Sequence, residues 1–148
     1  MRTFGWILCV CCVGYMAPAA AQTTAVGFIV GDPTGLSLKS WRSRAVAWDL
    51  GLGWSLGKRT AFDIKLDATR HNYKLLKTKQ GKAPVYLGIG MALHTGASTT
   101  VALRLPIGVN YIFRRDPAEL FMEIVPVLGL VPSSDFTLAT GFGARFRF

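Results

Sequence analysis

The residues of this chain that could do acid–base or nucleophilic chemistry are few. They are two histidines, His71 and His94, with Ser98 and Glu123 as the nearest candidates for a nucleophile and an acid. A serine activated by a histidine needs its hydroxyl within hydrogen-bond reach of the ring. His94 and Ser98 lie four apart across a strand end and a loop, a spacing that does not by itself bring them together. Two lone histidines at strand ends read more simply as rim residues than as a catalytic pair. Separated histidines without a cysteine partner also make a poor metal site. Glycine recurs at strand period and forms no phosphate loop, so no cofactor is expected.

The other groups with chemical potential are charges set into apolar segments. Lys39, Asp49, Asp63, Lys65, Asp67, Arg104, Glu123, Arg145 and Arg147 occupy alternate positions between bulky apolar residues. Isolated charges in a medium of low dielectric cost several kcal/mol unless paired. Five cations facing four anions therefore predict an interlocked polar core, a lumen network, in preference to a solute path.

Something must hold those positions. Segments of period-two alternation, the strand signal, are separated by turn-forming stretches at Gly31–Gly35, Trp41–Arg44, Gly57–Thr60, Lys77–Pro84, Thr95–Ser98, Arg114–Ala118 and Val131–Ser134. Seven turns give eight strands, and no segment of helical period is present after the first 21 residues. The clearest strand sets Val46, Trp48, Leu50, Leu52, Trp54 and Leu56 against Ala45, Ala47, Asp49, Gly51, Gly53 and Ser55. In a soluble sandwich the polar face would meet water and carry long charged side chains. Here it is starved of bulk, as the inside of a narrow barrel must be. Pro106 lacks a donor and predicts a local bulge in its strand.

The chain has 148 residues, 51% hydrophobic and 17% charged, with a net charge of +9. That is enough for one domain. Residues 1–21 read as a cleaved signal peptide: Arg2, a short apolar core over Gly5–Val13, then the small residues Ala17, Ala19 and Ala21. Cleavage after Ala21 would leave residues 22–148 as a single mature domain with 16 Lys and Arg against 8 Asp and Glu. All three cysteines fall in the leader, which excludes disulfides and thiolate metal sites from the mature part. A basic chain ordinarily suggests nucleic acid. An exported protein meets none, so the anionic partner expected is lipid.

The ending Gly143-Ala144-Arg145-Phe146-Arg147-Phe148 resembles the terminal strand of bacterial outer-membrane proteins. Gly31–Ser37, Ala45–Gly53 and Pro84–Gly90 resemble a group of small bacterial barrels, and in size and strand count the chain looks like the OmpA and OmpX kind. The resemblance implies an all-β, closed antiparallel eight-stranded up-and-down barrel in the outer membrane of a Gram-negative bacterium. It also implies a C-terminal assembly signal in Gly143, Phe146 and Phe148, read by the barrel assembly machinery. It brings no activity. The outer loops are shorter than those of OmpA and OmpX, which sets loop-borne adhesion aside.

With both termini in the periplasm, Arg42, Arg44, Arg70, Lys74, Lys77, Lys79, Lys82, Arg114 and Arg115 form a basic periplasmic rim against Asp116 and Glu119, a net of +7. Lys58 and Arg59 balance Asp32 and Asp135 at the other end. The basic rim suggests attraction to anionic headgroups. Trp41, Trp48, Trp54, Tyr73, Tyr86, Tyr111, Phe113, Phe146 and Phe148 are candidates for aromatic girdles at the headgroup layer, with Trp48, taken as mid-strand, better suited to core packing. The expected role is structural or interactive, with no substantial pore. One alternative is an enzyme that modifies lipid A or phospholipid. Another is a soluble periplasmic barrel with a lipid-binding lumen, which would turn the bulky apolar residues inward.

Overall fold

The computed structural model describes residues 24–31, 33–56 and 60–148. The expected signal peptide, Lys58, Arg59 and Asp32 lie outside the described residues. The described chain forms antiparallel strands and no helix: β1 (Thr24–Gly31), β2 (Gly35–Trp41), β3 (Val46–Leu56), β4 (Thr60–Asn72), β5 (Gly81–Lys82), β6 (Val85–Thr95), β7 (Thr99–Arg104), β8 (Ile107–Phe113), β9 (Ala118–Val131) and β10 (Phe136–Arg147).

The hydrogen-bonded neighbours make a ring. From β1 the ladders pass through β2, β3, β4 and β6, then to β7 and β8, then to β9 and β10, and β10 pairs again with β1. The pair β5 and β6 lies against the pair β7 and β8 in one line, so the ten strands make eight staves. The turns 42–45, 73–84 and 114–117 fall at the end that carries residues 24 and 148; those at 33–34, 96–98 and 132–135 fall at the other.

Pro106 separates β7 from β8 without a bulge. Arg104 faces Gly90 and Val127, and Ile107 faces Leu87 and Ile124, so the register is the same on both sides of it. The carbonyl of Pro106 accepts from Gly88 N at 2.8 Å, and Leu105 N donates to the carbonyl of Pro126 at 3.0 Å. The proline thus forfeits one ladder bond while its neighbours hold the alignment. Its ring lies over Gly88, which has no side chain to displace it. The bulge falls instead at Val101 and Ala102, against β9.

Alternation decides burial throughout. On the outward side Phe28, Val30, Phe62, Leu66, Leu87, Ile89, Met91, Met122, Ile124, Leu138 and Phe142 are all exposed. On the inward side the largest fully buried side chains include Arg145, Lys39, Lys65, Phe121, Glu119 and Asp67. Such a chain is inverted relative to a water-soluble protein, where charged residues are almost never fully buried. Trp54 and Ile89 are exposed while Arg104 and Arg145 are 3% and 2% exposed, so the orientation is opposite to that of a barrel with an apolar lumen.

Three aromatic placements differ from the girdle expectation. Trp41 and Tyr86 point inward and are buried. Trp41 packs on Ala47 and Ile112, with Tyr73 against them. Trp48 is outward and exposed, the third residue of β3, because that strand begins at Val46. It therefore lies near a strand end.

Candidate functional site

Every stave sends small or polar residues inward, and the space left by glycine is taken by a long neighbour across the ladder. The stem of Lys65 lies over Gly51, the ring of Tyr86 over Gly108, and the ring of Phe121 over Gly143. This complementarity lets long ionic side chains fill an interior that an eight-stranded barrel leaves only just wide enough for its own side chains.

Nearer the termini, Arg145 on β10 gathers partners from three other strands. Its Nη2 is 2.9 Å from Asp49 Oδ1, its Nη1 is 3.2 Å from Glu119 Oε1, and its Nε donates to Ser37 Oγ at 2.9 Å. The guanidinium lies 3.7 Å from the centre of the Phe121 ring. Asp49 also meets Lys39 Nζ at 3.3 Å and accepts from Thr69 Oγ1 at 2.8 Å. Lys39 Nζ is 3.0 Å from His71 Nε2 and sits beside the rings of Trp41 and Tyr86.

A second layer lies further from the termini. Lys65 Nζ donates to Glu123 Oε1 at 2.6 Å, and Tyr86 Oη donates to Glu123 Oε2 at 2.8 Å. Arg104 Nε donates to Asp67 Oδ1 at 3.2 Å, with its Nη2 at 3.6 Å from Glu123 Oε1. Tyr86 joins the layers, since its ring faces Lys39 and its hydroxyl reaches Glu123. Among the described residues, the buried charges are Lys39, Lys65, Arg104 and Arg145 against Asp49, Asp67, Glu119 and Glu123, four of each sign.

Seven of the nine lumen candidates thus meet in one network. Asp63 and Arg147 do not join it. Asp63 is at the end remote from the termini, where its Oδ1 is 2.5 Å from His94 Nδ1 and both side chains are part-exposed. Arg147 is at the opposite mouth, where its Nη2 donates to the carbonyls of Phe113 and Asp116 at 3.3 and 3.5 Å. Sequence reasoning missed Glu119 and His71, placing both on the rim. Both are buried inward. Their signal was present: Glu119 shares parity with Phe121 and Glu123, and His71 shares parity with Asp67 and Thr69.

Arg42, Arg44, Arg70, Lys74, Lys77, Lys79, Lys82, Arg114 and Arg115 are all exposed at or near the end that carries the termini. Among the described residues none of them makes an ion pair. With Glu119 withdrawn into the lumen, Asp116 is the acidic residue that remains there. A cleft of about 540 Å³ opens at this mouth, lined by Trp41, Arg44, Tyr73, Lys82, Phe113 and Arg147 among others. Among the described residues no group of three or more His, Cys, Asp and Glu is placed to hold a metal ion. Of the C-terminal trio, Phe146 and Phe148 are outward and exposed, while Gly143 points inward against Phe121.

No protein-family model matches the sequence, and no curated protein matches it. Among solved structures, the chain is similar to the N-terminal β-barrel domain of Pseudomonas aeruginosa OprF, with 16% identity, a TM-score of 0.63, and coverage of 85% of this chain and 96% of that one. Neisserial surface protein A also aligns, at 13% identity and a TM-score of 0.44 over 85% of this chain and 94% of that one. The ring of antiparallel staves and the OprF likeness define the class: the chain has the fold of a small antiparallel β-barrel.

Proposed function

We propose that the mature chain is a closed eight-stave barrel of a Gram-negative outer membrane, with a structural or interaction role and a lumen sealed by its own ion pairs. The observation that carries this is the inversion of the two faces. A band of bulky apolar side chains meets the surroundings, while four cations and four anions are paired inside. Hydrocarbon favours such an outer face. Every backbone group must also be satisfied internally in lipid, which a ring of ladders achieves and an open sheet does not. The OprF barrel domain supports the same reading by its fold.

In this reading the end with the termini faces the periplasm, and its unpaired basic residues meet anionic headgroups of the inner leaflet. Phe146 and Phe148 act with Gly143 as the assembly signal, as the resemblance implies. Fractionation of cell envelopes, together with electrophoresis of heated and unheated detergent extracts, tests the proposal. Recovery in the outer-membrane fraction with heat-modifiable migration is expected. Recovery in the soluble periplasm without detergent would overturn it.

One observation favours a second reading, a lipid-modifying enzyme: the Asp63–His94 pair stands part-exposed at the outer mouth. Its test is a deletion strain that loses a lipid modification, with restoration by the wild type but not by His94→Ala.

A further inference from the structure

Among the described strand residues, Arg70 is the one charged side chain on the outward face. It is the penultimate outward residue of β4, set between Val46 on β3 and Leu87 on β6. It is exposed and makes no ion pair among the described residues. Beside it the chain leaves the sheet as Lys74-Leu75-Leu76-Lys77, and Leu75 is 64% exposed. A cleft of about 710 Å³ lies beside this segment, with Arg70, Lys74, Leu75, Val85, Leu87 and Ile107 in its lining.

The cleft does not stop at the rim. A second depression of about 350 Å³ shares Arg70 and Leu87 with it and takes in Val46 at their level and Ala68 and Ile89 one outward pair further along the staves. Its floor is Ala68, the one small residue in a row whose cross-strand neighbours are Trp48 and Ile89. Arg70 and Lys74 thus border a shallow, largely apolar depression on the outward face. That combination suits a phospholipid, in which an anionic phosphate adjoins an acyl chain. Long basic side chains suit such a position because their stems lie on apolar surface while the charge stays at the interface.

We infer that this groove holds one anionic phospholipid of the leaflet beside the chain termini, with its phosphate at Arg70 and Lys74 and an acyl chain over Ala68. The inference rests on the membrane reading above, and it goes beyond a diffuse attraction of the basic rim by fixing one site. Charge complementarity chooses the occupant. Two unpaired cations at the groove exclude a neutral acyl ligand as the preferred one, and its apolar lining excludes a free phosphate.

The test is native mass spectrometry of the heat-modifiable, detergent-extracted protein after titration with phosphatidylglycerol and with phosphatidylcholine of the same acyl chains. Preferential retention of one phosphatidylglycerol is expected. Arg70→Gln and Lys74→Gln should each lower that preference by about fivefold. Ala68→Leu should fill the groove and reduce retention of both lipids. Arg42→Gln with Arg115→Gln, which removes two rim charges away from the groove, should leave retention unchanged. Equal retention of the two lipids, an Ala68→Leu variant that binds like the wild type, or an equal loss on removing Arg42 and Arg115 would overturn the site. So would a lipid-free dimer. Each of these outcomes leaves the membrane reading intact, whereas a protein that needs no detergent would sink that reading instead.

Discussion

Arg145 shows how a single side chain can organise the interior. Its planar fork donates in three directions, to Ser37, Asp49 and Glu119, while its face rests on Phe121. A lysine offers one compact charge and cannot reproduce that geometry. Removing one partner of a buried ion pair strands the other, at a cost of about 3–5 kcal/mol. Arg145→Met should therefore lower the stability of the folded barrel by that amount, read as a drop in the urea midpoint in detergent micelles. A midpoint equal to that of the wild type would show that Asp49 and Glu119 find other partners. Most of this network was legible in the sequence, because parity along a strand assigns a face. What parity does not give is where a strand ends. A turn read at Arg114–Ala118 put Glu119 on the rim, whereas β9 starts at Ala118 and carries Glu119 inward. His71 was misread in the same way, since β4 runs on to Asn72. Trp41 and Tyr86 were hidden by type. An aromatic near a strand end suggests a girdle, yet here glycine on the facing strand makes room inside, as Gly108 does for Tyr86.

At the scale of the element, β10 carries two separable roles on its two faces. Its inward glycine, Gly143, receives the Phe121 ring, and a Cβ there would also press on the backbone oxygen of Phe28. Overpacking of this kind costs about 1–3 kcal/mol. Gly143→Val should accordingly lower the temperature at which the compact, unheated form converts to the unfolded one. Its outward aromatics contribute differently. Phe148 is 80% exposed, and its backbone N donates to the carbonyl of Thr24 at 2.7 Å, a bond that any residue but proline can make. Phe148→Ala gives up one ring at the lipid-facing end of the strand and should lower equilibrium stability by no more than the roughly 1.5–3 kcal/mol that burying such a side chain supplies. It should nonetheless reduce the fraction of protein that reaches the outer membrane, if Phe148 is read during assembly. Comparing urea midpoints of refolded protein with folded yield in cells separates the two effects. The strand count was readable for the same reason that the faces were: alternation is long and turns are marked by Gly, Pro, Asp and Ser. The bulge was not. A proline in a strand signals a missing donor, but whether the ladder slips depends on its neighbours. Gly88, by accepting the Pro106 ring above it, removes the need to slip.

For the whole molecule the question is whether eight staves enclose a passage or a solid. The balance of four buried cations against four buried anions argues for a solid, since each charge is held by a partner and none is left to draw water or a mobile ion along the axis. Hydrogen bonding is nearly complete as well; the buried side-chain atoms without a partner among the described residues are His71 Nδ1, Arg104 Nη2, Asn110 Oδ1 and Arg147 Nε. In the layer further from the termini, Lys65, Glu123 and Tyr86 meet across the ring from β4, β9 and β6. Removing a matched cation and anion there opens volume without leaving a net charge, and the Asp67–Arg104 pair stays to line it. The paired substitution Lys65→Ala with Glu123→Ala should thus turn a silent protein into one that gives discrete conductance steps in planar bilayers, while wild type gives none of comparable size. Outward residues are untouched, so membrane insertion and heat-modifiable migration should persist in the variant. Steps of equal size in both proteins would mean that ions already pass the wild-type lumen. In that case the ion pairs line a path and do not close it.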